Sequence, residues 1–135
     1  MDNKSKHLEM IQRVIGNMTV LSYVMKVVAV VMVTVFVMGY FAFPESRGFE
    51  NAACACVFVI HIVFLGLNAS CTYQKMRYKK LYNIVRERDE VDFDMDPDFK
   101  GDSGAPSFFD GVASEIIYYV VLLVLYFIAM AIASH

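Results

Sequence analysis

Three long stretches of this sequence contain no Asp, Glu, Lys or Arg, and they limit the fold more than any other feature. They cover residues 27–44, 51–74 and 116–135. A helix needs about 20 mainly apolar residues to cross roughly 30 Å of hydrocarbon. The second and third stretches are long enough, and the first extends past Lys26, whose ammonium we expect to reach the headgroups. Because backbone groups in lipid must bond internally, all three are predicted to be helices.

The composition agrees with a membrane domain. Of 135 residues, 58% are hydrophobic and only 19% are charged, whereas a soluble domain has about 45–50% apolar residues. The expected partner is therefore the lipid bilayer. A net charge of −2 does not indicate a nucleic-acid partner.

Motifs for catalysis are missing from the sequence. It has no phosphate-binding loop, no G-x-S-x-G and no H-E-x-x-H, so we predict a protein that is not an enzyme and needs no cofactor. The spacing of Cys54, Cys56 and Cys71 fits neither a disulfide framework nor a metal site, and we expect buried free thiols.

Basic residues predict the orientation. Four precede or begin the first span: Lys4, Lys6, Arg13 and Lys26. Seven follow the second span: Lys75, Arg77, Lys79, Lys80, Arg86, Arg88 and Lys100. The positive-inside rule places both groups in the cytoplasm. A topology with three spans puts both groups on this same side of the membrane. We expect a multi-pass protein of the bacterial inner (plasma) membrane, with a cytoplasmic N-terminus and the C-terminus outside.

The fold class predicted is an all-α integral membrane domain over 1–135. Its segments are an amphipathic helix (5–22), span 1 (23–43), span 2 (51–72), a cytoplasmic basic helix (73–91), an acidic loop (92–110) and span 3 (114–134). The apolar positions of 5–22 recur at helical spacing, so this helix is expected on the membrane surface or against a protein neighbour. The basic helix is expected to continue span 2 into the cytoplasm.

The acidic loop ends at the start of span 3, where Asp110 or Ser114 is predicted to cap the helix. Counted from Asp92, the loop has Pro97 and Ser103 where a calcium-binding EF-hand has Gly and Glu. We therefore interpret the loop as a solvated linker.

Polar residues within the spans are candidates for function. Thr34, His61 and Tyr126 are expected at similar depth on three different helices. An intramembrane histidine indicates a proton or ion relay, or a pore-lining ring in an oligomer. The alternative that we favour is a neutral histidine bonded to a hydroxyl across helices.

Small residues four positions apart mark candidate helix contacts. The pairs are Gly66 with Ser70 and Ala129 with Ala133. This spacing lets two helices approach closely. The contact is expected either within the chain or between copies of a homo-oligomer.

Two cytoplasmic segments carry the most distinctive residues. The motifs are HLEMIQ at 7–12, Y-Q-x3-Y-K-x-L-Y-x2-V-R at 73–86 and D-F-x-M-D at 92–96. Together they resemble a group of small three-span bacterial membrane proteins, over nearly the whole chain, and the resemblance implies an architecture rather than an activity. The layout is more loosely similar to the SLATT-type membrane effectors of bacterial nucleotide-signalled defence systems, which have no third span.

The motif residues are expected to meet near the membrane surface, and we call this set the collar. Its members are His7, Glu9, Gln12, Tyr78, Tyr82, Arg86 and Asp96. They are expected either to join the two cytoplasmic helices or to bind a cytoplasmic protein partner.

Three functions fit these features. The first is a self-associating membrane effector or pore-type component in a defence or stress system. The second is a non-catalytic scaffold that recruits a partner through its cytoplasmic helices. The third is a subunit of an ion- or proton-coupled transporter.

Overall fold

A computed structural model describes residues 3–42, 47–87, 95 and 104–133 of the chain. These residues form three helices and no strand: α1 (Asn3–Ala42), α2 (Arg47–Glu87) and α3 (Phe108–Ala133). Each helix contains a segment long and apolar enough to cross a membrane. The predicted all-helical architecture with three such helices is confirmed, and insertion into a bilayer stays a prediction.

Helices α1 and α2 are much longer than a membrane span requires. They contain 40 and 41 residues, or about 60 Å each at 1.5 Å per residue, which is twice the thickness of the hydrocarbon. The predicted amphipathic helix 5–22 is therefore not a separate element, because it continues into span 1 without a break. The predicted helical continuation of span 2 is observed as far as Glu87.

The first two helices form an antiparallel hairpin, and α3 packs mainly on α2. Helix α3 begins beside the middle of α2, where Gly111 approaches Ala69. Residues near the N-terminus of α1 contact the last turns of α2. We call this the collar end of the bundle and the opposite end the hairpin end.

An apolar cluster joins α1 to α2 at the collar end. Ile11, Leu81 and Val85 are its buried members. Side chains that pack around them are Leu8, Ile15, Tyr78, Tyr82 and Met95. Leu8, Ile11 and Ile15 of residues 5–22 thus pack on α2 of the same chain. Met95 belongs to the predicted acidic loop, whose residues 92–94 and 96–103 lie outside the described part.

A second apolar cluster lies midway along the bundle and includes all three helices. Val33, Val57 and Tyr126 are its buried members. Elsewhere the apolar side chains mostly point outward: only 17% of the apolar segments of α1 and α3, and 28% of that of α2, are buried. This outward surface suits a lipid solvent, in which apolar side chains need no protein cover.

The start of α3 is a reciprocal capping arrangement. The backbone N of Asp110 donates to Ser107 Oγ at 3.3 Å, and the backbone N of Ser107 donates to Asp110 Oδ2 at 2.7 Å. Ser107 is therefore the N-cap, with Asp110 in the position that a capping box gives to Glu. Asp110 therefore belongs to the capping arrangement but is not the N-cap residue that the sequence predicts, and Ser114 donates to the Gly111 carbonyl inside the helix.

Gly111 sets the close approach of α3 to α2. A Cβ atom added there would lie 2.4 Å from the carbonyl oxygen of Ala69. Only glycine allows this separation, because real Cβ atoms do not come so near to a backbone oxygen. One helical turn later, the same face of α3 presents Glu115 to α2.

Candidate functional site

Five polar side chains from three helices meet inside the bundle, near the middle of α1 and α2 and the start of α3. They are Ser22 and Lys26 of α1, Asn68 and Thr72 of α2, and Glu115 of α3. Four of them are buried, and the side chain of Lys26 is 29% exposed. We call this set the polar network.

The Glu115 carboxylate is the centre of the polar network. Its Oε2 accepts from Lys26 Nζ at 2.8 Å and from Asn68 Nδ2 at 3.0 Å. Its Oε1 accepts from Thr72 Oγ1 at 2.7 Å. Three donors from two helices thus satisfy a carboxylate that is only 7% exposed, which a buried charge requires.

Asn68 extends the network to α1. It is completely buried, and its Oδ1 accepts a hydrogen bond from Ser22 Oγ at 2.5 Å. Its amide nitrogen bonds Glu115, so the single side chain connects α1 with α3. A buried polar group that spans three helices determines their axial register as well as their contact.

Lys26 has a partner that the sequence does not predict. Its ammonium pairs with Glu115 of α3, and its expected position near the headgroups stays a prediction. The Nζ atom also lies 5.3 Å from the centre of the Tyr118 ring, and the Tyr118 hydroxyl donates to the Lys26 carbonyl at 3.2 Å. The Glu115 carboxylate and the face of the Tyr118 ring both stabilise the ammonium in this position.

Sequence reasoning missed Ser22, Asn68, Thr72 and Glu115. Glu115 directly precedes the charge-free stretch 116–135 and lies inside the predicted span 3 (114–134), but the sequence pattern predicts no role for it. A usable signal was the four-residue spacing of Asn68 with Thr72 and of Gly111 with Glu115. That spacing places each pair on one helix face.

The described residues do not form the predicted polar layer of Thr34, His61 and Tyr126. Thr34 is exposed and donates to the Val30 carbonyl of its own helix at 2.8 Å. His61 is buried and bonds the Val57 carbonyl, also on its own helix. Tyr126 packs in the middle apolar cluster. The cross-helix hydrogen bond expected for His61 is therefore replaced by a bond within α2.

The predicted small-residue pairs do not form the close helix contact of this chain. A Cβ atom on Gly66 would meet nothing within 4 Å. Ser70 is exposed and donates to the Gly66 carbonyl at 3.0 Å. Ala129 is half-buried, and Ala133 is the last residue of α3. The close contact lies instead at Gly111, while a contact of Gly66 with another copy stays a prediction.

The collar is brought together in part. Gln12 Nε2 donates to the Tyr82 hydroxyl at 3.1 Å, which joins α1 to α2. Tyr78 packs on the apolar cluster beneath it. His7 is completely buried in the same region. These residues support the role of fixing the two helices to each other.

The charged members of the collar point away from this contact. Glu9 pairs only along α1, with Arg13, at 3.5 Å, and both side chains are well exposed. Arg86 is exposed on the last turn of α2. Asp96 lies outside the described residues. The exposed charges remain candidates for contact with a partner.

The cysteines are free thiols in the structure. Cys71 is buried as expected, whereas Cys54 is half-buried and Cys56 is exposed on the surface of α2. Among the described residues, no group of three or more His, Cys, Asp or Glu side chains is arranged to hold a metal ion.

Comparisons with protein-family models, with curated proteins and with solved structures find no match for this chain.

Proposed function

We propose that the chain is a multi-pass protein of the bacterial inner membrane with the collar end in the cytoplasm. The support is the concentration of Lys and Arg in the collar-end halves of α1 and α2. Alkaline phosphatase fused after His135 should be active, because it folds only outside the cytoplasm. An inactive phosphatase together with a fluorescent green protein fusion at the same position would reverse the orientation.

The function we propose is that of a non-enzymatic membrane effector whose polar network holds α3 in a resting arrangement. The observation that carries it is the Lys26–Glu115 pair, in which Glu115 is buried and the Lys26 side chain is 29% exposed. Taking two charges out of water costs several kcal/mol each, so well-packed apolar residues would stabilise a bundle as well or better. An ion pair of this kind instead suits a helix such as α3 if that helix switches between two arrangements.

Several copies are required for this effector to open a membrane. The middle of a single bundle is filled by Val33, Val57 and Tyr126, so one copy encloses no hydrated path there. Gly66 and Ser70 lie on the outer side of α2 with free space around Gly66. A second helix can approach closely at such a pair.

Membrane potential in expressing cells tests the effector. Glu115→Gln keeps the size of the side chain but removes the charge that pairs with Lys26, and we expect stronger depolarisation than with the wild type. The double variant Lys26→Met with Glu115→Leu should return to the wild-type level, because it leaves no unpaired charge. Glu9→Gln, in the exposed pair, is the matched control and should change nothing.

Equal potentials in the empty-vector control, the wild type and Glu115→Gln, at equal protein in the membrane, would overturn this function. The number of copies is measured separately by single-molecule photobleaching in native-lipid nanodiscs. We expect more than one copy for the wild type and a shift to one copy for Gly66→Leu. A monomeric wild type would exclude the pore.

Recruitment of a protein partner is the second candidate, and a groove at the collar favours it. The groove has a volume of about 510 Å³. Its lining is Lys4, Ser5, Leu8, Glu9, Gln12 and Tyr82. Crosslinking in cells should then recover one partner in fixed proportion, and Glu9→Lys should reduce its recovery. Recovery of this protein alone would exclude the scaffold.

An ion- or proton-coupled transporter subunit gains support from Glu115. Coupled transporters commonly use intramembrane carboxylates, and His61 has no such neighbour in the sequence. Proteoliposomes with a pH gradient would show a saturable flux that Glu115→Gln abolishes. If Glu115→Gln increases the flux, the result favours the effector. If the wild type shows no flux, the transporter is excluded.

A further inference from the structure

An apolar groove runs between α2 and α3 on the outer surface of the bundle. Its volume is about 210 Å³, and it is lined by Phe58, His61, Ile62, Leu65, Ile116, Tyr119, Val120 and Leu123. Ile62, Val120, Phe58 and Ile116 are exposed and form its rim, whereas His61 and Tyr119 are buried and form its floor. A groove with an apolar exposed rim is entered from the hydrocarbon rather than from water.

The tautomer of His61 follows from its hydrogen bond. The Nδ1 atom lies 2.8 Å from the carbonyl oxygen of Val57, and a carbonyl oxygen can only accept. The proton of the neutral imidazole is therefore on Nδ1, and Nε2 carries the lone pair. No described residue donates a hydrogen bond to this buried Nε2. An acceptor buried without a donor costs free energy that a donor from outside would recover.

We infer that this groove binds a bilayer-dissolved phenol, a single aromatic ring whose hydroxyl donates to Nε2 of His61 and whose alkyl tail stays in the lipid. Alkylphenols and reduced quinones share this chemistry. This inference does not rest on the proposed effector function.

The size and the walls of the groove favour an aromatic ring. In another protein an apolar cavity of about 150 Å³ is large enough to bind benzene, so about 210 Å³ admits one substituted ring. Phe58 and Tyr119 provide ring edges and faces with which a phenol can pack. Tyr119 already stands edge-on to His61, with 6.3 Å between ring centres and an angle of 81°.

The direction of the hydrogen bond makes the site selective. A phenol has the O–H that the lone pair needs, whereas its methyl ether and an oxidised quinone offer only acceptors. Because Nε2 is covered in the structure, a side chain of the exposed rim must turn aside to admit the hydroxyl. Rim side chains such as Ile62 face the lipid, where such a turn meets no protein atom.

The experiment uses the full-length protein in lipid nanodiscs with three probes of equal tail length. They are a para-alkylphenol, its methyl ether and an alkylhydroquinone, each competing against a photoreactive alkylphenol whose attachment site is mapped by mass spectrometry. We expect labelling on groove residues and binding of the phenol about fivefold tighter than that of its ether, the effect of one neutral hydrogen bond. The hydroquinone arm distinguishes a preference for reduced quinones from one for simple phenols.

Three variants test the geometry. His61→Phe keeps a ring in the floor but removes the acceptor, so the phenol and the ether should bind equally. Val120→Trp should fill the groove and abolish labelling, whereas Val121→Trp should not, because Val121 has the same 51% exposure but does not line the groove. The ¹⁵N signal of His61 Nε2 should shift with the phenol and not with the ether.

Equal affinity of the wild type for the phenol and its ether would overturn the inference. So would labelling that Val120→Trp leaves unchanged, or an absence of labelling in the groove. Membrane potential plays no part in these measurements, so they can fail while the proposed effector function stands, and the reverse also holds.

Discussion

The polar network and the middle apolar cluster join the same three helices by different means. The network uses a carboxylate that accepts three hydrogen bonds from side chains of α1 and α2. The middle cluster uses only the fit of Val33, Val57 and Tyr126. Lipid tails are as apolar as these side chains, so burial from lipid adds little to the association of helices. The polar contacts should therefore define the arrangement of α3, and the apolar cluster should only complement it.

The polar network and the middle apolar cluster also differ in how they respond to the loss of a side-chain group. Loss of a methyl group leaves a small void, and the surroundings relax partly around it. Loss of one partner of a buried ion pair leaves the other charge without compensation. Substitutions in the polar network and in the middle apolar cluster should thus differ in cost, although both join the same three helices.

The largest effect is expected from Glu115→Leu. It leaves the Lys26 ammonium unpaired, and breaking a buried pair in this way costs about 3–5 kcal/mol. The free energy of unfolding in mixed micelles, measured by denaturing-detergent titration, reports this loss. Adding Lys26→Met should recover most of it. Equal stability of the single and the double variant would show that the pair does not hold α3.

The next largest effect is expected from Gly111→Leu. Its Cβ would lie 2.4 Å from the Ala69 carbonyl, so α3 must move away, at a cost of about 1–3 kcal/mol. Because Glu115 lies one turn further, this move should also lengthen its bond to Thr72. A crosslink between cysteines placed in α2 and α3 next to the network measures the separation.

The matched control is Gly66→Leu, since a side chain at Gly66 meets nothing within 4 Å. It should leave the unfolding free energy and the crosslink unchanged. A loss of stability as large as that of Gly111→Leu would place the close helix contact at Gly66, as its sequence spacing predicted.

Hydropathy predicted the helices well because the cost of charge in a membrane acts on each segment separately. The described residues of all three long apolar stretches lie in helices, and the apolar stripe of 5–22 packs as a helical face through Ile11. These are one-helix properties, which periodicity and composition report directly.

The network was not predictable in the same way, because it depends on the rotation and axial register of one helix against another. Lys26 and Glu115 are 89 positions apart in the chain (115 − 26) and meet only when Gly111 has brought α3 against Ala69. Equal depth led to the prediction of a layer of Thr34 with His61, but Thr34 faces outward. The sequence predicts how deep a residue lies in the membrane, but it does not predict which neighbouring helix its side chain faces.

A smaller effect is expected from Val57→Ala in the middle cluster. Val57 is completely buried between Val33 and Tyr126, and its truncation should cost about 1–2 kcal/mol through lost packing. Val59→Ala is the control on the same helix, because Val59 is exposed and should contribute almost nothing. A cost for Val57→Ala equal to that of Glu115→Leu would remove the difference between the two layers.

The smallest effect is expected from the exposed counterpart of the buried pair. Arg13 and Glu9 are four residues apart on α1, with side chains 75% and 56% exposed and 3.5 Å between their charged atoms. Water and salt screen such a pair, so Glu9→Gln should change the free energy of unfolding by about 0.5 kcal/mol or less. Raising the salt concentration should remove even this difference, while the cost of Glu115→Leu should persist because its partner is shielded from solvent ions. If salt weakened both effects equally, the Lys26–Glu115 pair would be as accessible to solvent as the pair on the surface of α1.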